Sequence, residues 1–189
     1  MINFPNTDAN QVLTIYGELT DKTLIRTFPL PAPTISLRTY TPLTREESIY
    51  AFTAVFALNG ISIATAGEKC LLVIPTAQKG KIASVLSQKG PLDYSSLTNT
   101  LPARSVSIPY GTLDMIARVY SQLAGRKVEL EPSVPRIALG VRTQTPLTAG
   151  EALQALDWLL ALHGLKVIQP EKESAALRIV TQADGTETK

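Results

Sequence analysis

The sequence predicts an α+β protein made of two tandem βαββαββ modules, each with two helices packed on small mixed or antiparallel sheets. Three observations carry this. A helix-start signal, Thr41-Pro-Leu-Thr-Arg-Glu-Glu47, returns 104 positions later as Thr145-Pro-Leu-Thr-Ala-Gly-Glu151. Sliding the chain on itself by that offset aligns residues 2–63 with 106–167 without a gap, Pro5 falling on Pro109, Tyr16 on Tyr120 and Arg38-Thr39 on Arg142-Thr143. Each aligned stretch alternates helical periodicity with short strand-like runs that close in hairpins, the pattern of a small α+β sandwich.

Within each module the elements follow in order. Residues 2–4 and 106–108 read as short strands, each ended by a proline. Asp8 and Thr112 then open a helix with one apolar face, Val12, Ile15, Tyr16 and Leu19 in the first copy, Ile116, Val119, Tyr120 and Leu123 in the second. Gly125 ends the second copy of this helix; Asp21 is a weaker stop for the first. Strands follow at about 23–26 and 127–130, then proline-punctuated loops (Pro29, Pro31, Pro33; Pro132, Pro135), then longer strands at 34–40 and 137–143.

The principal helix of each module has a capping box. Thr44 and Thr148 are N-caps, and Glu47 and Glu151, three positions on, reach back to the cap N–H while facing the positive end of the helix dipole. One copy buries Ile49, Phe52, Val55 and Phe56, the other Leu153, Leu156, Leu159 and Leu160, and both stop at glycine, Gly60 or Gly164. Hairpins at 61–65/70–75 and 165–169/176–181 close the modules. The expected division is 1–76, a linker 77–104 rich in Ser, Thr, Lys and Gly with at most a short amphipathic turn at Ile82, Val85 and Leu86, a second module 105–182, and a frayed tail 183–189.

Composition narrows the function classes. With 44% hydrophobic and 18% charged residues the chain is globular, and a net charge of +2, scattered along it, argues against nucleic acid as a partner. No apolar run reaches the roughly 20 residues that span a bilayer, so no direct membrane insertion is expected. Met1 leads into a strand rather than a signal peptide, which leaves a cytoplasmic protein or a processed fragment open.

The search for chemistry comes out negative: the expectation is no enzyme, no cofactor and no metal. One histidine, His163, and one cysteine, Cys70, make no zinc cluster, and neither a G-x-S-x-G elbow nor a phosphate-binding glycine loop occurs. His163 reads as a polar residue at a helix end, its counterpart being Asn59. Trp158 reads as core or inter-module packing. Cys70 shares strand parity with Leu72, whose counterpart is Arg178, and is expected on an outer, partly covered face.

The ordered motifs, a capped helix with L-Y-x-x-L, an I-x-L-R-T strand, P-L-T-x-x-E, and an apolar helix ending L-N-G-I or L-H-G-L, resemble the N-terminal periplasmic domain of secretins, also called the secretin and TonB short N-terminal domain. Residues 2–75 and 106–181 both resemble it. The resemblance implies a βαββαββ fold, a periplasmic location, and a non-enzymatic interaction or scaffold role in type II or pilus-like secretion. The alternative it implies is a signalling domain of a TonB-dependent receptor system. Neither the ring-building domains nor the barrel of a secretin follows in this chain, so pore formation is not expected. Protein partners of the envelope are implied, inner-membrane secretion components among them, with self-association left open.

A small open sheet recognises partners through unpaired edge N–H and C=O groups. Carried over from the resemblance, the candidate partner-binding residues are Ile35, Ser36, Leu37 and Arg38 in the first module and Leu139, Gly140, Val141 and Arg142 in the second. Arg38 and Arg142 would fix register or meet an acidic group, the alternative being that both are simply solvated.

Overall fold

A computed structural model describes residues 1–27, 30–170 and 176–182. The first half runs β1 (Asn3–Asp8), α1 (Ala9–Thr20), β2 (Thr23–Thr27), β3 (Thr34–Arg38), α2 (Arg45–Leu58), β4 (Ile61–Ala66) and β5 (Cys70–Pro75). After it come a 3-10 turn at Thr76–Lys81, a short helix α3 (Ile82–Leu86), a second 3-10 turn at Tyr94–Ser96 and β6 (Thr100–Leu101). The second half runs β7 (Ser107–Gly111), α4 (Leu113–Ala124), β8 (Val128–Leu130), β9 (Leu139–Arg142), β10 (Leu147–Thr148), α5 (Ala149–Leu162), β11 (Leu165–Ile168) and β12 (Leu177–Thr181). The chain is α+β. The helices α1 and α4, and likewise α2 and α5, begin 104 positions apart and are equal in length.

Local chemistry explains most of the boundaries. The Asp8 carboxylate accepts from the N–H groups of Asn10 and Gln11 and starts α1, whereas the expected Thr112 cap makes no such side-chain bond. Asp21 ends α1 in the left-handed region at φ 54°, the geometry Gly125 adopts at φ 63° after α4. Both expected capping boxes form. The Thr44 N–H donates to Glu47 Oε2 at 2.8 Å and the Glu47 N–H to Thr44 Oγ1 at 3.2 Å. The corresponding distances at Thr148 and Glu151 are 2.7 and 3.1 Å.

The strand β1 runs on past Pro5 to Asp8, where the sequence reading ended it at the proline. Its register against β3 shifts between Phe4 and Thr7, and such a bulge is a place where a strand tolerates proline. In the same way β7 continues through Pro109, with a shift between Ile108 and Gly111. The expected polar turn of the last hairpin and the tail from 183 fall largely outside the described residues, as does Pro29.

Each half contributes a three-stranded set and a two-stranded set, β4-β5-β2 with β1-β3, and β11-β12-β8 with β7-β9. In both three-stranded sets the hairpin is antiparallel and the strand after the first helix joins in parallel. The halves then fuse. Strand β2 pairs antiparallel with β9, Leu24 opposite Arg142 and Thr27 opposite Leu139, giving a five-stranded sheet β4-β5-β2-β9-β7.

This seam governs the packing. One face of the β2–β5 layer, with Leu24, Leu71 and Val73, packs with Val12, Leu13, Tyr16, Phe52 and Phe56 of α1 and α2. The opposite face, with Ile25, Leu72 and Ile74, joins a larger core that includes Leu153, Leu156 and Leu159 of α5. Cys70 is therefore 3% exposed, not partly covered, because the second half lies over it. Its thiol is pushed up to about 12, first by burial and then by Glu151.

The segment between the halves also departs from expectation. It is a strap around the second half rather than a loose linker. Val85 is buried, β6 pairs with β10, and the Ala149 and Gly150 N–H groups that open α5 donate to Asn99 O and Leu97 O at 2.9 and 3.1 Å. Apolar Leu92, Leu97 and Leu101, read in sequence as part of a polar stretch, anchor it to the core.

Candidate protein-docking surface

Hydrogen-bond direction alternates along a strand, so a few ladder contacts fix where every backbone group points. On β3 the Thr39 N–H donates to Ile2 O at 2.9 Å, and Pro33 O accepts from the Ala9 N–H at 2.9 Å. Odd-numbered residues of β3 therefore face β1, and Ser36 and Arg38 aim their N–H and C=O groups the other way. No strand lies on that side among the described residues. The equivalent contact in the second half, Thr143 N–H to Val106 O at 2.9 Å, turns the groups of Gly140 and Arg142 away from β7. There β2 takes them, with Arg26 opposite Gly140 and Leu24 opposite Arg142.

The structure thus treats the eight candidate residues in two ways. Leu139, Gly140, Val141 and Arg142 lie in a central strand with both edges occupied, and Arg142 approaches α1, its Nη1 3.5 Å from Thr14 Oγ1. Ile35 is fully buried, Leu37 is half-buried, and Ser36 and Arg38 are exposed on an open edge. The Arg38 guanidinium stacks over the Tyr40 ring at 5.1 Å, which holds it beside that edge.

The principal helices show the same contrast. On α5 the outward positions Gln154, Asp157, Trp158, Ala161 and Leu162 are covered by the strap and the first half: Gln154 Nε2 donates to Gln88 O at 3.3 Å, and Trp158 lies against the Gly67 turn. The matching positions on α2 are Tyr50, Thr53, Ala54, Ala57 and Leu58, all exposed, with Tyr50 at 77% and Leu58 at 85%. Sequence reading missed this bare face. Its signal was an apolar Tyr50, Ala54 and Leu58 lying outside the expected buried stripe.

A polar cluster within the second half was also missed. Tyr16 of α1 bonds Thr53 of α2, hydroxyl to hydroxyl, at 3.1 Å. At the same offset Tyr120 of α4 meets Asp157 of α5, its hydroxyl donating to Oδ1 at 3.1 Å. Tyr94 of the strap adds a third group, donating to Asp157 Oδ2 at 2.5 Å and lying 2.5 Å from the Tyr120 hydroxyl. Asp157 is 5% exposed. Burial pushes its carboxyl up to about 6, and the two tyrosines draw it part of the way back. The sequence hint was a lone carboxylate in the helix A-L-D-W-L-L.

Other singled-out residues take structural places. His163 caps the C-terminus of α5, with its pKa lowered by burial and by Lys81. Lys69 of the first half bonds Glu151 Oε2 at 2.9 Å across the seam. No cluster of three or more His, Cys, Asp or Glu able to hold a metal occurs among the described residues, and no helix there is long and apolar enough to cross a membrane.

No family model and no curated protein matches this chain. Among solved structures, a chain of the Klebsiella pneumoniae type II secretion system outer membrane complex, with PulD, PulS and the PulC HR domain, is similar at 20% identity and a TM-score of 0.38. The match covers 76% of this chain and 24% of that one, so this chain spans about a quarter of its length.

Proposed function

We propose that this chain is a non-enzymatic interaction module that binds a protein partner by strand addition to the free edge of β3, with the bare face of α2 beside it. One observation carries the reading. The outward backbone groups of Ser36 and Arg38 are unclaimed by any described strand, while those of their counterparts Gly140 and Arg142 hold β2 in antiparallel pairing. The molecule thus contains a working example of the contact it leaves open. Main-chain hydrogen bonds would supply affinity, and Tyr50, Ala54 and Leu58 apolar area, at roughly 25 cal/mol per Å² buried.

The setting we propose is the periplasm, in a bacterial envelope secretion assembly of the type II or pilus-like kind. The chain would there be two secretin-N-terminal-like units, 1–76 and 105–182. Support for this setting is the pair of P-L-T-x-x-E motifs, each followed by an apolar helix and L-x-G. A partner captured from envelope extract by the wild-type chain tests the edge. On binding, the Ser36 and Arg38 amides gain hydrogen-exchange protection, whereas Leu37, already turned to β1, does not. Ser36→Pro abolishes capture with helical circular dichroism intact. A folded S36P chain that captures the partner at full affinity refutes strand addition.

A further inference from the structure

The strap covers, on α5, the face that α2 leaves bare, and one buried ionisable group lies beneath it, bonded to Tyr94 of the strap. Gly90 and Tyr94 pack directly on Asp157: a Cβ added to Gly90 would come within 2.3 Å of Asp157 Oδ2 and 2.0 Å of the Tyr94 hydroxyl. Gly150 admits the Tyr94 backbone just as closely, its own added Cβ meeting Tyr94 O at 2.5 Å. Two glycines, one on each partner, let strap and helix close over the carboxyl. The first half has Thr53 at this place, exposed, with no strap over it among the described residues.

We propose that residues 87–101 form a pH-dependent latch on α5, closed over the Asp157 carboxyl with Tyr94 and Tyr120 bonded to it, and loosened when that carboxyl ionises. It loosens because the cost of burying the charge outweighs the strengthening of the two phenol hydrogen bonds. The charged groups on the elements around it lie elsewhere. Lys89 and Asp93 of the strap and Asp114 and Arg118 of α4 are exposed, and Glu151 of α5 is paired with Lys69. Only burial and the two phenols act on the carboxyl. Both phenols are held far above their ordinary range, by burial first and then by Asp157, so they remain donors at every relevant pH.

The sign follows from linkage. The closed form holds its proton to about 6, while a carboxyl opened to water returns toward 3.8. Protonation therefore favours closure, and that advantage is lost as pH rises through the closed-state value. Between pH 5 and pH 7.5 these two values give about a tenfold rise in the opening equilibrium, flattening above pH 7. The latch stands whether or not the β3 edge takes a partner.

Hydrogen exchange of strap amides, corrected for the intrinsic pH dependence, tests this on the full chain. In the wild type, opening at 87–101 rises about tenfold from pH 5 to pH 7.5, while β1 and β3 amides show no such change. In Asp157→Asn and Asp157→Thr the corrected profile is flat. A wild-type profile as flat as D157N, or one falling with pH, overturns the latch. Should both variants fail to fold, carbon-13 titration of the wild-type Asp157 carboxyl decides: a midpoint near 6 supports the latch, and one in the ordinary aspartate range overturns it.

Discussion

Glu47 and Glu151 occupy the same capping position, yet they do different amounts of work. Glu47 serves only its cap, and its pKa is lowered by the backbone and then the hydroxyl of Thr44. Glu151 is pushed up by burial, but Lys69 and Thr148 outweigh that and lower it on balance. Glu151→Ala should therefore cost about 1–2 kcal/mol, the cap plus a half-exposed ion pair worth under about 1 kcal/mol. Glu47→Ala should cost less, because it loses only the cap contacts to Thr44 and no ion pair. Urea melts of the two variants test this, and equal losses would dismiss the Lys69 contribution. A carboxylate with a depressed folded pKa stabilises above its unfolded value and loses that contribution as pH falls through the folded one. The wild-type advantage over E151A should accordingly shrink below pH 4.5, the ordinary glutamate value.

Ser36 and Gly140 are counterparts on β3 and β9, and proline separates their roles. Gly140→Pro removes an N–H directed at β2 from a strand paired on both sides, and should destabilise by at least about 2 kcal/mol. Ser36→Pro removes an outward N–H, with the loss of two exposed hydrogen bonds between Ser36 Oγ and Asn6, and should cost under about 1.5 kcal/mol. Chemical denaturation of both compares them directly, and a larger loss for S36P would mean that β3 is not an open edge. The helices were legible in sequence because their signals are local: Thr44 with Glu47, Thr148 with Glu151, and stripes at helical spacing. The pairing of β2 with β9 was not, since it joins Leu24 to Arg142 and the alternation of a strand does not say which neighbour takes its edge. The trace it left is the unbroken apolar run Cys70-Leu-Leu-Val-Ile74, which marks a strand covered on both faces.

At the scale of the whole molecule the halves are unequal. The three-stranded set of the first is apolar on both faces; that of the second carries exposed Glu129 and Arg178 where the first has buried Ile25 and Leu72. Docking the halves buries Ile25, Leu72 and Ile74, worth roughly 5–9 kcal/mol together. A single cooperative urea transition is expected, with residues 1–76 alone less stable and prone to aggregate. Leu72→Arg, which installs the residue of the other half, should cost more than about 3 kcal/mol by burying an unpaired charge. Two separate transitions in the wild type, or an L72R chain as stable as wild type, would mean that the seam contributes little. That contrast was readable residue by residue. The docking face on α2 was not, because an exposed Tyr50 or Leu58 is unremarkable until its covered counterpart on α5 is seen.

The seam is a head-to-tail contact: the β2 edge of one half meets the β9 edge of the other, and no two-fold axis relates them. Contacts of this kind have no built-in end. After one is made, a β3 edge remains at one extremity and a β8 edge at the other, each the counterpart of a strand already joined. Left chemically alike, successive molecules would add without limit, as in a growing fibre. Exposed Glu129 and Arg178 place charge where Ile25 and Leu72 seal the internal joint, which disfavours docking of a further copy, and β8 is only three residues long. Restoring the apolar pair with Glu129→Ile and Arg178→Leu should make sedimentation rise more steeply with concentration than in the wild type, and identical profiles would dismiss the role of this charge.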